Sequence, residues 1–205
     1  IVKKSDARLI RGAGVEIDYK YKKKKKINKN ITISLVARML KDKGIFEFVN
    51  AARILNKRNF QCRFLLVGDI DQKNPSSLKT STLKSWHEKG IIEWLGWIDN
   101  IKEILYDTDI LCLPSYREGL PKSLLEGAAI GLPLVTTNTV GCRDIVVDGV
   151  NGYLVPVKDS VNLALAIEKL IRDKDLRAKM GNESFKLAVS KFSSNIINSQ
   201  TISLY

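Results

Sequence analysis

From Ile31 onward, short apolar runs alternate with segments of helical periodicity about six times, and this alternation restricts the chain more than any single residue does. Ile31–Val36 (ITISLV), Arg63–Val67, Ile91–Leu95, Ile110–Leu113, Pro133–Thr136 and Asn151–Val155 read as strands. Gly44–Leu55, Leu78–Glu88, Ile101–Tyr106, Lys122–Ile130, Val161–Arg172 and Asp175–Val189 read as helices. The strands are apolar throughout instead of alternating apolar with polar. Strands of that kind are buried on both faces, which predicts an α/β domain with a parallel sheet of about six strands and helices on both sides. Such sheets bind ligands at the carboxyl ends of their strands. The loops after Leu35, Val67, Leu95, Leu113 and Thr136 are therefore where chemistry is expected.

Charge divides the chain differently. Residues 1–30 hold eleven basic and three acidic side chains, so they carry +8 of the net +12, with five consecutive lysines at Lys22–Lys26. The rest of the chain has an ordinary balance. This predicts a basic connector or flanking segment over 1–30 and a ligand-binding domain over 31–205. A net +12 suggests a polyanionic or phosphorylated partner, but its position argues against a basic face built into the folded domain. Hydrophobic residues make up 44% of the chain, too many for a disordered polycation. No apolar run approaches the ~20 residues of a membrane span. The chain opens at Ile1 without Met or an apolar signal segment, so a piece of a longer protein is expected. Cys62, Cys112 and Cys142 are odd in number, widely spaced and without a CxxC pair, and read as free thiols in a reducing compartment.

Two loops carry most of the chemistry. The first, Ala37-Arg38-Met39-Leu40-Lys41-Asp42-Lys43-Gly44, places two cations before a helix start. A guanidinium fork, an ammonium and a helix N-terminus would suit a diphosphate. On this loop alone, Arg38 and Lys43 read more simply as solvated charges. The GxxxxGK[ST] pattern of a P-loop is absent. The second loop, Pro114 to Glu126 (PSYREGLPKSLLE), places Glu118 before a helix and Glu126 two turns inside it. Gly119 permits close backbone approach and Pro121 suits a first helical turn. Eight helical residues rise about 12 Å, whereas glycosidase carboxylates sit about 5–9.5 Å apart. The two Glu residues fit separate hydrogen-bond acceptors along an extended ligand, or as readily a surface Glu and a helix-face Glu.

Other groups are less promising. His87 is the sole histidine and sits on a polar helix, so a solvated side chain is expected and no Ser-His-Asp or Cys-His dyad can be assembled. No metal-ligand cluster is evident. Asp148-Gly149 and Asn151-Gly152 are turn dipeptides. Gly141 follows the fifth strand, where it would let a loop approach a ligand. Of Trp86, Trp94 and Trp97, only Trp97 follows a strand end at Leu95-Gly96.

These segments together resemble the nucleotide-sugar-binding C-terminal half of retaining glycosyltransferases with the GT-B architecture, in the large glycosyl transferases group 1 family. ARMLKDKG is similar to its [GA]-R-L-x-x-x-K-G loop, VGDID to its strand-end V-G-D/G, EWLGW to its F/Y-L-G-x, and REGLPKSLLE to its E-x7-E signature. PLVTTNTVGCRDIVVDGVNGYLVP is similar to its P-V-V-A-T block, with Asp144 and Cys142 departing mildly from the usual Glu and Gly. GAGVEI is similar to the entry into the second domain. The resemblance runs from about Arg11 onward, and its wording is nearest to bacterial enzymes of surface polysaccharides or lipid-linked oligosaccharides.

The resemblance implies a Rossmann-like fold and assigns roles. Arg38 and Lys43 would neutralise the donor diphosphate, and Glu118 would contact the hexose. The backbone N–H groups of Gly119, Leu120 and Pro121 would lie near sugar and phosphate. Glu126 would accept from the ribose hydroxyls, and Gly96 and Trp97 would border the base. The donor would be a UDP-sugar and the acceptor a glycan or lipid-linked glycan, with no metal or other cofactor. The acceptor-binding N-terminal domain would lie outside this chain, leaving it weakly active alone. The location would be cytoplasmic, with attraction of the lysine run to an anionic membrane face secondary to plain solvation. Competing readings are another GT-B enzyme such as a nucleotide-sugar epimerase, which needs a base the chain does not obviously offer, and a nucleic-acid-binding module using the lysine run.

Overall fold

The computed structural model describes Gly12, residues 14–17 and residues 30–203. Six strands form one parallel sheet: β1 (Ile31–Val36), β2 (Cys62–Val67), β3 (Glu93–Trp94), β4 (Ile110–Leu113), β5 (Leu134–Thr137) and β6 (Gly152–Val155). Their order is β3-β2-β1-β4-β5-β6, so the winding reverses between β1 and β4. The helices are α1 (Ile45–Lys57), α2 (Thr80–Glu88), α3 (Ile101–Tyr106), α4 (Lys122–Ala129), α5 (Val140–Arg143), α6 (Ser160–Arg172), α7 (Lys174–Leu187) and α8 (Ser194–Ile202). This is the Rossmann-like arrangement expected of one half of a GT-B enzyme.

Side chains from the strands feed two cores, one on each face of the sheet. Ile33, Leu35, Phe64, Leu66, Ile110, Cys112 and Val135 join Phe48 and Leu55 of α1, Leu83 of α2 and Leu163 and Ile167 of α6. Leu111, Leu113 and Leu134 join Leu105 of α3, Leu124 and Leu125 of α4 and Phe192. Phe48 meets Phe64 edge to face at 5.5 Å between ring centres. Truncating such a buried ring to Ala costs about 3–5 kcal/mol. Both faces are dry, which is why the strands read as continuous apolar runs.

The sheet departs from the expected boundaries where polar groups intervene. The third strand shrinks to Glu93–Trp94, and Asn151, expected to open the sixth, closes a turn. Its side chain accepts from the Val147 N–H at 2.7 Å and donates to the Ile145 carbonyl at 2.9 Å. The final helix runs as far as Leu187, continues as a π-helical stretch over Ala188–Phe192, and is followed by the unanticipated α8. The short α5 was also not expected. Val15, inside the segment that charge sets apart as a connector, is buried against this region and exchanges backbone hydrogen bonds with Phe192 and Ser194. The Lys22–Lys26 run lies outside the described residues. Among those described, no helix is long and apolar enough to cross a membrane.

Candidate functional site

The reversal between β1 and β4 brings their two following loops together. After β1, the Ala37 N–H donates to the Val67 carbonyl at 3.0 Å, Met39 to Asp69 at 2.9 Å and Lys41 to Ser76 at 2.8 Å, which fastens the loop to the β2 side. Lys41–Lys43 form one 3-10 turn, and Gly44 then adopts φ 72°. A Cβ on Gly44 would lie 2.0 Å from the Pro114 carbonyl oxygen. Only glycine allows the two backbones to touch there.

Asp42 was not singled out by any motif, yet it ties three loops. Its carbonyl accepts from the Tyr116 N–H at 2.8 Å and the Ser115 hydroxyl at 3.0 Å. Its carboxylate accepts from the Ser76 hydroxyl at 2.9 Å and lies 3.5 Å from the Arg117 guanidinium. Sequence spacing could not reveal this, because the bonds span loops some thirty to seventy-five residues apart.

At the junction, Lys43 Nζ meets Glu118 Oε1 at 2.6 Å, with side chains only 22% and 11% exposed. The first-turn residue Glu47 of α1 reaches the same loop, where Tyr116 donates its phenolic hydrogen to Glu47 Oε1 at 2.8 Å. Lys158 Nζ stands 5.2 Å from the Tyr116 ring centre. Burial, then the Glu47 carboxylate, pushes the Tyr116 phenol above its ordinary pKa. The other Glu47 oxygen is buried without a hydrogen-bond partner. Beneath the β4 loop, a Cβ on Gly141 would lie 1.9 Å from the Gly119 carbonyl oxygen. Gly141 therefore lets the loop after β5 pack directly against the backbone of the β4 loop.

The remaining predicted residues are spread around this junction. Arg38 is 61% exposed and pairs with Asp71 of the β2 loop at 2.7 Å, so it does not share Lys43's carboxylate. Glu126 pairs with Lys122 at 3.6 Å and lines a cavity of about 390 Å³ with Lys102, Leu105, Ala129 and Ile130, between α3 and α4. Pro121 is the residue before α4, and no side chain caps that helix. Having no N–H, Pro121 can offer no backbone donor; Gly119, Leu120 and the first turn of α4 must supply any such contact. Leu120 is half buried against the second core. Gly96, at φ 66°, accepts from the Gly68 N–H through its carbonyl at 2.7 Å. Trp97 is 71% exposed and donates its indole N–H to Asp99 at 2.9 Å. His87 is engaged, since its Nδ1 accepts from the Trp94 N–H at 3.1 Å. Among the described residues no three His, Cys, Asp or Glu side chains form a metal-binding group.

The profile of glycosyl transferases group 1 matches residues 17–187. The chain belongs to that family. The family's bacterial members include a Staphylococcus aureus capsular polysaccharide biosynthesis glycosyltransferase, CapM, 30% identical over 87% of this chain and 47% of its own length. Another is a Campylobacter jejuni N,N'-diacetylbacillosaminyl-diphospho-undecaprenol alpha-1,3-N-acetylgalactosaminyltransferase, 32% identical over 87% of this chain and 45% of its own. The fold superimposes on that of Anabaena HepE, solved with UDP, with a TM-score of 0.76 at 23% identity over 85% of this chain and 48% of that one. The chain thus spans about half the length of the family relatives it matches. It is a bacterial-type group 1 glycosyltransferase sequence, with the GT-B half-fold and a loop junction at its topological switch point.

Proposed function

We propose that this chain is the donor-binding half of a retaining glycosyltransferase that moves a hexose or N-acetylhexosamine from a UDP-sugar to a polysaccharide or lipid-linked glycan. The observation that carries the reading is the meeting of Lys43 and Glu118 at the switch point, beside the uncapped start of α4. In this reading Lys43 and Arg38 face the diphosphate, and first-turn N–H groups of α4 add donors. Glu118 accepts from hexose hydroxyls, Glu126 accepts from the ribose in its cavity, and the backbone at Gly96 with the Trp97 ring borders the base. UDP is favoured over other nucleotides because the structure of a fold neighbour contains it and a relative is named for a UDP-galactose donor.

The chemistry follows from charge. The bond from the anomeric carbon to the diphosphate oxygen breaks, and negative charge grows on the leaving group. Fixed cations placed there stabilise the transition state more than the ground state, without requiring a metal. Retention would come from attack on the face the diphosphate leaves, the departing phosphate taking the acceptor's proton. No side chain of this half then has to act as a general base. The acceptor would bind mainly to residues outside this chain, which by itself would bind nucleotide and transfer little. The setting would be cytoplasmic, with at most peripheral attachment to the inner membrane face. A nucleic-acid role is disfavoured, since it would leave the switch-point loops idle.

Calorimetric titration with UDP tests the site. Lys43→Ala, Glu126→Ala and Arg38→Ala should each weaken binding; unchanged affinity in all three would overturn the assignment. Mass spectrometry of transfer products from the full-length enzyme, offered a panel of UDP-sugars, would name the sugar.

A further inference from the structure

Lys43 and Glu118 are assigned to different parts of one donor, yet they are bonded to each other. Their 2.6 Å ion pair is largely out of water. A lysine has one ammonium, and a diphosphate oxygen that takes it must displace or share it with the carboxylate. Displacement leaves Glu118, 11% exposed, without the one ion pair it forms among the described residues. Uncompensated buried charge is costly. The backbone that carries Glu118 is held in place: the carbonyls of residues 118 and 119 lie directly over Gly141, and the neighbouring Tyr116 and Ser115 are bonded to Asp42.

We propose that Glu118 competes with the donor diphosphate for Lys43, so that the diphosphate is held firmly only while hexose hydroxyls engage Glu118. The two halves of the donor then bind cooperatively through one ion pair. With the sugar attached, its hydroxyls donate to Glu118 and Lys43 is released to the diphosphate. Once the sugar has been transferred, Glu118 recovers Lys43 and weakens the hold on UDP. The pair favours intact donor over spent nucleotide and speeds product release. This inference rests on the donor-site reading given above.

UDP titrations of the chain Ile1–Tyr205, with uridine as a control lacking phosphate, test it. Glu118→Gln keeps the shape and removes the competitor. It should tighten UDP by about fivefold or more, within the usual range of site coupling, and leave uridine unchanged. Lys43→Met should weaken UDP. In the Lys43→Met background, Glu118→Gln should alter UDP affinity less than about twofold. That double variant replaces both charges with neutral groups of similar size and leaves no unpaired buried charge, so it should fold; thermal melting monitors this. If Lys43→Met does not weaken UDP, Lys43 does not hold the diphosphate and both its place in the donor-site reading and the competition fail. If it does, but Glu118→Gln leaves UDP binding unchanged, the competition alone is overturned; equal tightening in both backgrounds overturns it too and makes Glu118 only a distant repulsive charge.

Discussion

The two ends of the sheet handle charge in different ways. At the amino end, Arg63 of β2 is held by Glu93 of β3 at 2.8 Å and by Asp107 at 3.2 Å, and Asp109 accepts from the Thr32 N–H at 2.9 Å. These pairs are partly exposed and their geometry is complete. At the carboxyl end, Lys43 and Glu118 are buried more deeply on loops that touch through backbone, and a buried Glu47 oxygen lacks a partner. Exposed pairs contribute little to stability, and buried pairs are costly to break. The amino end joins strands; the carboxyl end holds a more deeply buried ion pair where two loops meet. The same sheet supplies both because its parallel strands deliver every following loop to one end.

This contrast can be broken by substitution. The largest effect should come from glycine. Gly44→Ala would drive a methyl into the Pro114 carbonyl and should cost at least about 3 kcal/mol in urea denaturation. Gly90→Ala at the amino end, at φ 63° with nothing within 4 Å, should cost about 1 kcal/mol. Equal costs would refute the idea that the loop junction is tightly closed.

Next comes nucleotide binding. Lys43→Ala should weaken UDP more than about tenfold, the loss of one charged hydrogen bond, while Arg63→Ala leaves calorimetric affinity within about twofold. Asp42→Ala removes the bonds of the carboxylate to Ser76 and Arg117 and keeps those of the backbone carbonyl. It should weaken UDP by a few-fold without touching the ligand, with Asp42→Asn recovering part of the loss. Arg38→Ala, on an exposed side chain already shared with Asp71, should weaken UDP less than Lys43→Ala.

The smallest effect concerns pH. The hydrogen bond from Arg63 holds the Glu93 carboxyl below the ordinary glutamate range. A depressed carboxyl stabilises the fold above its unfolded pKa, and that contribution is lost as pH falls through the lower folded value. Glu93→Gln should flatten the acid limb of the melting curve as pH falls below the ordinary glutamate range, by less than about 1 kcal/mol because the side chain is 41% exposed.

Much of the architecture was legible beforehand, for a physical reason. Strands buried on both faces need continuous apolar residues, and amphipathic helices need periodic ones, so Ile31–Val36 and Ile110–Leu113 were found with their bounds intact. Segments held by side chain to backbone bonds were not. Asn151 looked like the start of a strand until its amide closed a turn, and α8 has too weak a periodicity to announce itself. Lys43, Glu118 and Glu126 could be named from the sequence as loop and helix residues, and the resemblance supplied their expected roles. Asp42, Tyr116 and Glu47 were invisible because they act through partners distant in the chain. Pro121 was assigned beside backbone donors that a proline cannot contribute to.

The amino-acid order alone therefore established an α/β domain, its parallel sheet, its family and the loops that carry its charged residues, since these depend on local periodicity and short motifs. Which charges meet depended on the three-dimensional fold. The winding reversal between β1 and β4 sets Lys43 against Glu118 across seventy-five residues of chain. Arg38, only five residues earlier, goes to Asp71 instead. Spacing along a chain cannot distinguish those two outcomes, because the pairing is set by which strands lie side by side.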